Sequence, residues 1–420
     1  MNTAPPSPPA STPAHSAWQV FWVFLQLGLT SFGGPVAHLG YFRTAFVERR
    51  QWLSDAQYAD LVALCQFLPG PASSQVGMAL GMMRAGWAGC LAAWLGFTLP
   101  SAMALIALAL GLQQWPHLAD SAWVQGLKIV AVAVVAHAVW GMWRNLCQGW
   151  LRKAVAVASA AALLVWPGAG LQVAVMLAGA LVGWRWMQTP AAVPADAHHP
   201  APQLPISRRG GLNLLMLCGV LLFALPLLAS YGESMAAEAF AAFYQAGALV
   251  FGGGHVVLPL LQSSVVAPGW VSDAQFITGY AAAQAVPGPL FTLAAYLGAL
   301  LPLPGAWRGW AGGLLMLVAI FLPAFLLVAG TLPWWQLLRQ DGRVQRALAG
   351  VNAAVVGVLL AALIHPVWTS AIHGVRDALL ACAAFAMLQR YKLAPLTVIV
   401  VVLIATTVSR LVDVWIKNGF

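Results

Sequence analysis

Two short segments of the chain combine proline and glycine with hydroxyl side chains. Residues 69–71 read Pro-Gly-Pro and are followed by Ser73 and Ser74, and residues 287–289 repeat the triplet ahead of Thr292. Proline lacks a backbone N–H and restricts the residue before it, so each triplet should end one helix, and its second proline suits the start of another. The start of a helix carries unpaired N–H groups and the positive end of the helix dipole, which suit an anion.

Two Phe-Gly-Gly turns, at 32–34 and 251–253, supply backbone that can approach such an anion closely. Two helix ends contribute about +0.5 elementary charge each. That charge balances a monoanion and leaves a dianion about one unit short. A dianion site should therefore recruit a basic side chain or a proton.

Four side chains are candidates for this additional charge. Lys128 lies inside an otherwise apolar helix, Arg84 ends the first helix after the triplet, and His38 and His255 follow the Phe-Gly-Gly turns. Each also has a structural interpretation, because a lysine can extend to the membrane interface, an arginine can anchor topology and a buried histidine can simply be hydrogen-bonded. We interpret His38 and Arg84 as candidates for a proton or charge relay.

The composition decides what kind of molecule must position these groups. Of the 420 residues, 61% are hydrophobic and only 7% are charged, against roughly 25% in a soluble domain, and the mean hydropathy is +0.81. So few charged side chains could not cover a soluble protein of this size, which excludes soluble enzymes, nucleic-acid binders and secreted disulfide scaffolds. We predict an all-α polytopic membrane protein whose partner is the lipid bilayer and not a nucleic acid.

Sequence motifs of several catalytic chemistries are absent from the chain. There is no Gly-rich ATP-binding loop, no zinc-protease motif and no nucleophile elbow, and the five cysteines lack metal-ligand spacing. We therefore predict no enzymatic activity, no cofactor and no metal.

The Pro-Gly-Pro triplets end helices that are too short to cross a membrane. WLSDAQ at 52–57 and WVSDAQ at 270–275 predict helix starts, since Ser-x-x-Gln forms a capping box. A helix from Asp55 to Leu68 would be roughly 21 Å long, against about 30 Å of hydrocarbon. Interrupted short helices at matching places in two halves are typical of a transport site, and proline kinks that only ease packing are the alternative.

The two halves of the chain are copies of each other. Besides the WxSDAQ pair, SFGGP (31–35) recurs as VFGGG (250–254), CQFLPGP (65–71) as AQAVPGP (283–289), and FTLPS (97–101) as IFLPA (320–324). Such ordered duplication is typical of transporters built from two structural repeats. We predict a disordered tail (1–16), a first repeat (17–187), a flexible proline-rich linker (188–211), and a linking helix with the second repeat (212–420).

Apolar stretches long enough to cross a bilayer lie at 86–112, 123–143, 212–230, 309–331, 347–367, 371–389 and 394–416. The stretches at 17–33 and 236–253 are slightly short. The basic residues between the stretches imply inversely oriented repeats. Counting the helices between the repeats gives parallel repeats instead, unless residues 153–187 cross the membrane once or residues 55–83 cross it as a broken span. We predict inversion and leave the number of crossings open.

With these motifs, the sequence resembles the chromate ion transporter (CHR) family in its long, two-repeat form. The resemblance is carried by FGGPVAHLGYF (32–42), LCQFLPGPASSQVGMALG (64–81), GFTLPS (96–101), FGGGHVVLPLL (251–261), AQAVPGPLFTLAAYLG (283–298) and GVNAAVVGVLLAALIHPVWTSA (350–371). It implies a multi-pass protein of the bacterial inner membrane that exports chromate, confers resistance and uses the proton motive force. The resemblance also implies functional roles for Asn352 and for the Gly-Gly and Pro-Gly-Pro motifs of both halves.

The predicted substrate-binding residues are Gly33, Gly34, Pro69, Gly70, Pro71, Ser73, Ser74, Lys128, Gly252, Gly253, His255, Pro287, Gly288, Pro289, Thr292 and Asn352. Chromate is the expected substrate and sulfate the expected competitor, and a homo-oligomer is compatible with this interpretation. A permease for sulfate or another oxyanion is the alternative within the same class. A membrane enzyme or scaffold, in which the prolines serve folding alone, is the alternative from a different class.

Overall fold

The computed structural model describes residues 16–32, 34–114, 122–166, 169–188, 206–232, 234–251, 257–334, 341–393 and 395–417, and no strand occurs among them. Of the tail predicted at 1–16, only Ser16 is described, where its side chain caps the first helix. Most of the linker predicted at 188–211 also lies outside the described residues. The all-helical fold class is confirmed.

The first repeat contains α1 (Ala17–Thr30), α2 (Gly34–Arg43), α3 (Asp55–Phe67), α4 (Ala72–Gln114), α5 (Ala122–Leu146), α6 (Trp150–Val165) and α7 (Ala169–Trp186). A short π-helical turn, Thr44–Arg49, continues α2. The backbone of α4 is non-helical at Ala85 and Gly86. This break separates a short arm, residues 72–84, from a long arm, residues 87–114.

The linking helix α8 (Arg208–Gly232) begins inside the segment predicted as linker. The second repeat then contains α9 (Met235–Ala248), α10 (Val257–Val265), α11 (Asp273–Ala285), α12 (Leu293–Leu300), α13 (Trp310–Thr331), α14 (Gly342–Ala362), α15 (Val375–Gln389) and α16 (Pro395–Lys417). By the matched motifs, α9 corresponds to α1 and α11 to α3. The two arms of α4 correspond to α12 and α13, which here are separate helices.

Helices of the described residues that are long and apolar enough to cross a membrane are Ala72–Gln114, Ala122–Leu146, Arg208–Gly232, Trp310–Trp334 and Gly342–His365. The protein is therefore a multi-pass membrane protein. Four of these helices bury a large part of their surface inside the fold, whereas α8 is mostly exposed, as expected of a helix that faces lipid.

The two repeats exchange helices across their interface. In the first repeat α6 and α7 pack on α14 of the second, while α15 and α16 pack on α5 of the first. Glycines make the approach close, since a Cβ on Gly350 would overlap the carbonyl oxygen of Gly179. Reciprocal exchange of this kind is what a pseudo-two-fold relation between repeats produces. The predicted inversion relative to the membrane stays a prediction.

Candidate functional site

Both WxSDAQ segments form the capping boxes that the sequence predicts. The Ser54 hydroxyl accepts a hydrogen bond from the Gln57 backbone N–H at 3.2 Å, and the Gln57 side chain accepts one from the Ser54 N–H at 3.0 Å. Ser272 and Gln275 repeat the pair at 3.2 and 3.1 Å. These caps fix where α3 and α11 begin, and therefore how far each helix reaches before its Pro-Gly-Pro triplet.

The first broken hairpin consists of α3, residues 69–71 and the short arm of α4. The backbone of Leu68 is extended (φ −78°, ψ 149°), which ends α3. At the other end of the hairpin the Arg84 guanidinium lies 4.9 Å from the ring centre of Trp52. Because Trp52 and Arg84 lie at the two ends of the hairpin and contact each other, the chain enters and leaves the hairpin on the same side, which we call its open end. Residues 69–71 form the closed end, which we call the first tip.

The second broken hairpin consists of α11, residues 287–289 and α12. The backbone of Val286 is extended (φ −89°, ψ 149°) and ends α11. A Cβ on Gly279 would overlap the ring of Tyr296, and these two residues lie at similar distances along the chain from Gly288. The two helices are therefore antiparallel neighbours, and residues 287–289 form the second tip.

Each tip is hydrogen-bonded to the opposite repeat. The Gly70 N–H donates to the Val250 carbonyl oxygen at 2.6 Å, and the Gly288 N–H donates to the Ser31 carbonyl oxygen at 3.0 Å. Each acceptor directly precedes a Phe-Gly-Gly turn of the other half. The glycines have φ of +119° and +107°, a region that other residues rarely adopt. The duplicated turns and tips therefore bind one another across the repeat interface.

The Leu-Pro motifs of the long helices complete this junction. A Cβ on Gly70 would lie 3.6 Å from Ala324, and a Cβ on Gly288 would lie 2.8 Å from the Ser101 hydroxyl. Ser101 and Ala324 end the matched segments FTLPS and IFLPA. Each tip thus contacts two motifs of the opposite repeat and does not face lipid.

His38 links the first tip to the second. Its Nε2 lies 3.2 Å from the Ser31 carbonyl oxygen and its Nδ1 lies 3.3 Å from the Ser73 hydroxyl. Since a carbonyl oxygen can only accept, Nε2 carries the proton and Nδ1 accepts from Ser73. The imidazole is only 1% exposed. The Ser31 carbonyl therefore receives hydrogen bonds from His38 and from Gly288 of the other repeat.

The helix that follows the first tip begins in a buried place without a side-chain cap. The carbonyl of Pro71 accepts the helical bond from the Gln75 N–H at 2.9 Å. The N–H groups of residues 72–74 have no acceptor within the helix, as at any helix start. All three residues are buried. A buried helix start of this kind calls for an acceptor that the helix itself does not contain.

Unpaired hydroxyl groups lie in this helix start and in the first-half segments of the junction. The side-chain oxygens of Ser31, Ser74 and Thr98 are buried and have no hydrogen-bond partner among the described residues, and each side chain is at most 2% exposed. Ser74 lies in the first turn of the helix, and the backbone of Ser31 is held by His38. Thr98 precedes Ser101 by one turn, so both lie on one side of α4. Buried polar groups are normally paired, so these hydroxyls point to a ligand.

Gln75 holds the first tip and leaves one acceptor unused. Its amide nitrogen donates to the Pro69 carbonyl oxygen at 2.7 Å, while its side-chain oxygen is buried without a partner. The donated bond fixes which end of the amide faces the tip. A bound water or a protonated ligand would satisfy the remaining oxygen.

Other predicted site residues lie in different places. Gly33, Gly252, Gly253 and His255 are outside the described residues, and Gly34 begins α2 with φ +77°. Lys128 and Asn352 are partly buried on α5 and α14, two helices that pack on each other. Arg84 lies at the open end of the first hairpin. The short arm between Arg84 and the first tip is 13 residues long, about 20 Å.

Sequence reasoning missed four residues of the junction, which are Ser31, Gln75, Thr98 and Ser101. Each is a polar residue inside or beside one of the duplicated motifs, and that position was the available signal. Among the described residues, no group of three His, Cys, Asp or Glu side chains could hold a metal ion.

Charged groups lie outside the spanning segments, at the open end of the first hairpin. Arg43 forms ion pairs with Glu48 and, at 2.8 Å, with Asp55. The hydrogen bond and the charge of Asp55 raise the pKa of the Arg43 guanidinium. These exposed pairs lie beside the cap of α3, and they are separate from the junction of the tips.

The model of the chromate transporter family matches this chain twice, at residues 18–184 and 237–408. The chain belongs to the chromate transporter family. The two matches coincide with the two repeats and together cover most of the chain. They confirm the resemblance that the sequence motifs carried.

Curated members of this family match over most of their length. A probable chromate transport protein of Synechococcus elongatus is 28% identical over 84% of this chain and 85% of its own. A chromate transport protein of Cupriavidus metallidurans is 28% identical over 93% and 94%, and one of Pseudomonas aeruginosa is 28% identical over 84% and 80%. No solved structure matches the chain.

Proposed function

We propose that this protein is a secondary transporter that exports chromate from the bacterial cytoplasm through the inner membrane. The observation that carries the proposal is the buried, uncapped helix start after Pro71, with the unpaired Ser74 hydroxyl in its first turn, at the junction of two repeats. Membership of the chromate transporter family supports chromate as the transported anion, and the names of the curated relatives agree with it.

The chemistry of the site suits a tetrahedral oxyanion. Chromate presents four oxygens that accept hydrogen bonds, and the helix start after Pro71 offers backbone N–H donors and a positive dipole end. The hydroxyls of Ser31, Ser74 and Thr98 are the further donors in this proposal. In this proposal Lys128 supplies part of the charge that a dianion still lacks.

The membrane potential alone can drive export in this proposal. One elementary charge crossing 100 mV is worth about 2.3 kcal/mol, so leaving a negative interior favours a dianion by about 4.6 kcal/mol. That energy corresponds to more than three decades of concentration, at about 1.4 kcal/mol per decade. Proton entry would add to this energy, so either component of the proton motive force could contribute.

Uptake of labelled chromate into everted vesicles tests the proposal. Vesicles containing the protein should accumulate chromate when energised, and vesicles carrying Pro69→Ala should do so much more slowly at equal protein content. Accumulation that survives collapse of both the potential and the proton gradient would contradict a secondary mechanism. Energised uptake of sulfate with none of chromate would contradict the proposed substrate.

A further inference from the structure

The two halves share one backbone design at their tips but differ in the side chains at matched positions. Counted from the matched motifs, Ser31 corresponds to Val250, Gln75 to Leu293, and Thr98 to Phe321. His38 corresponds to Val257 and Ser73 to Phe291. All five counterparts in the second half are buried and apolar. At each of these positions the first half has a polar side chain and the second half has an apolar one.

Two aromatic rings occupy the second half where the first has hydroxyls. Phe291 and Phe321, the counterparts of Ser73 and Thr98, have ring centres 5.7 Å apart. Trp94 packs on Phe321 with ring centres 5.6 Å apart. Each of the two phenylalanines is fully buried. The two phenylalanine rings offer no hydrogen bond to an oxyanion and exclude the water that would accompany one, while the indole N–H of Trp94 is buried without a partner among the described residues.

Thr292, the one hydroxyl residue that the second half retains at these positions, is already satisfied. Its hydroxyl donates to the Pro289 carbonyl oxygen at 2.7 Å, whereas the equivalent Ser74 hydroxyl has no partner. The first turn after Pro289 is also a tighter 3-10 helix. In the described part of the second hairpin, the unpaired buried side-chain oxygen is the Tyr296 hydroxyl, one turn further along the helix.

We propose that the transported oxyanion binds at the helix start after Pro71 and not at the one after Pro289, held by the backbone N–H groups of residues 72–74 and by the Ser74 hydroxyl, with the first-half hydroxyls of Ser31 and Thr98 as the further donors of the junction. The second tip supports this site through the bond from Gly288 to the Ser31 carbonyl. His38 is a positioning residue, since it holds that same carbonyl and Ser73. The inference rests on the proposed function for the identity of the oxyanion and on the structure for its location.

Binding of labelled chromate to the purified protein, with Ser74→Ala and the matched variant Thr292→Ala, tests this inference. A hydrogen bond to a charged ligand is worth about 1.5–3 kcal/mol, so Ser74→Ala should weaken binding about tenfold or more. Thr292→Ala should change it by less than about threefold. Equal weakening by both variants, or a larger effect of Thr292→Ala, would overturn the inference.

A second variant, Ser74→Cys, and a second anion, sulfate, test the same inference. Ser74→Cys preserves the side-chain size with a weaker donor, so it should bind chromate more weakly than wild type even if Ser74→Ala does not fold. If wild-type protein binds sulfate but not chromate, and Ser74→Ala still weakens sulfate binding, the location stands and the chromate proposal fails. If wild-type protein binds neither oxyanion, both fail.

Discussion

The two broken hairpins have nearly the same backbone and different surroundings. Both begin at a Ser-x-x-Gln cap, both turn at a glycine with positive φ, and both tips are hydrogen-bonded to the opposite repeat. In the first half the buried side chains at the matched positions are hydroxyls, an amide and an imidazole. In the second half they are valine, leucine and phenylalanine. The backbone scaffold is therefore present in both halves, whereas the polar side chains at these matched positions are present in the first half.

This difference indicates that the tips have unequal roles. A helix start can attract an anion only if its surroundings allow the anion to shed water for other donors. The helix start after Pro71 offers such a donor in the unpaired Ser74 hydroxyl, whereas the helix start after Pro289 carries Leu290, Phe291 and a Thr292 hydroxyl that is already bonded. Because the Gly288 N–H and the His38 ring share the Ser31 carbonyl, the second tip still helps to position the first.

The largest effects should come from changing the tip glycines, because both tips need them equally. Gly70→Ala and Gly288→Ala place a Cβ in a region of φ that costs about 1–3 kcal/mol, and they also place it 2.8 Å from the Gln75 amide and the Ser101 hydroxyl, respectively. Both should lower the thermal unfolding temperature in detergent and abolish vesicle transport. Gly86→Ala is the matched control, since it incurs the cost of a positive φ (+59°) but has nothing within 4 Å of an added Cβ. If Gly70→Ala and Gly288→Ala transported like Gly86→Ala, the tips would not be structurally constrained.

Changing His38 should affect only the first site. His38→Leu removes the donor to the Ser31 carbonyl and the acceptor for Ser73, so chromate affinity should fall by an order of magnitude or more. His38→Gln can both donate and accept, and should recover part of the affinity. Equilibrium binding of chromate to purified variants measures both. Full retention of affinity by His38→Leu would contradict a positioning role.

Exchanging one pair of matched residues between the tips should sharpen the comparison. Ser31→Val removes one donor and should weaken chromate binding about tenfold. Val250→Ser adds a hydroxyl at the buried second-half counterpart of Ser31, next to the first tip, and should cost about 1–3 kcal/mol of stability without improving binding, since the donors to the anion come from the first half. Chromate binding and thermal unfolding of the two single variants check this. Tighter binding by Val250→Ser would show that the second-half position can also supply a donor to the anion, and would contradict the inference.

The smallest effects should come from the first-turn aspartates at the open ends of the hairpins. Asp55 is paired with Arg43, while among the described residues Asp273 accepts a hydrogen bond from the Gln262 amide at 3.1 Å and forms no ion pair. Asp55→Asn should therefore lower stability slightly more than Asp273→Asn, and the difference should shrink as salt screens the ion pair. Thermal unfolding at low and high ionic strength measures it. A difference that grows with salt would contradict the assignment.

Much of the fold could be predicted from the sequence because local chemistry dictates it. The capping serines, the short helix after Asp55 and the stop at Leu68 follow from hydrogen bonding and proline sterics. The duplicated order of the motifs indicated two repeats. These features depend on residues close together in the chain, which is why the sequence alone was informative about them.

The reciprocal contacts could not be predicted, because they depend on how the repeats pack. Nothing local indicates that Gly70 binds the Val250 carbonyl or that Gly288 binds that of Ser31. For the same reason the hydroxyls of Ser31 and Thr98 were missed, since an isolated polar residue inside or at the end of an apolar helix is usually satisfied by the nearby backbone. Only the packed structure reveals that these hydroxyls are unpaired.

The most direct test of the account is to locate a bound oxyanion by anomalous diffraction from crystals of the whole protein soaked with chromate, or with selenate as a redox-stable tetrahedral dianion. The account predicts one anomalous peak within hydrogen-bond distance of the Ser74 hydroxyl and the backbone N–H groups of residues 72–74. A peak beside Leu290 and Thr292, or equal peaks at both tips, would contradict it.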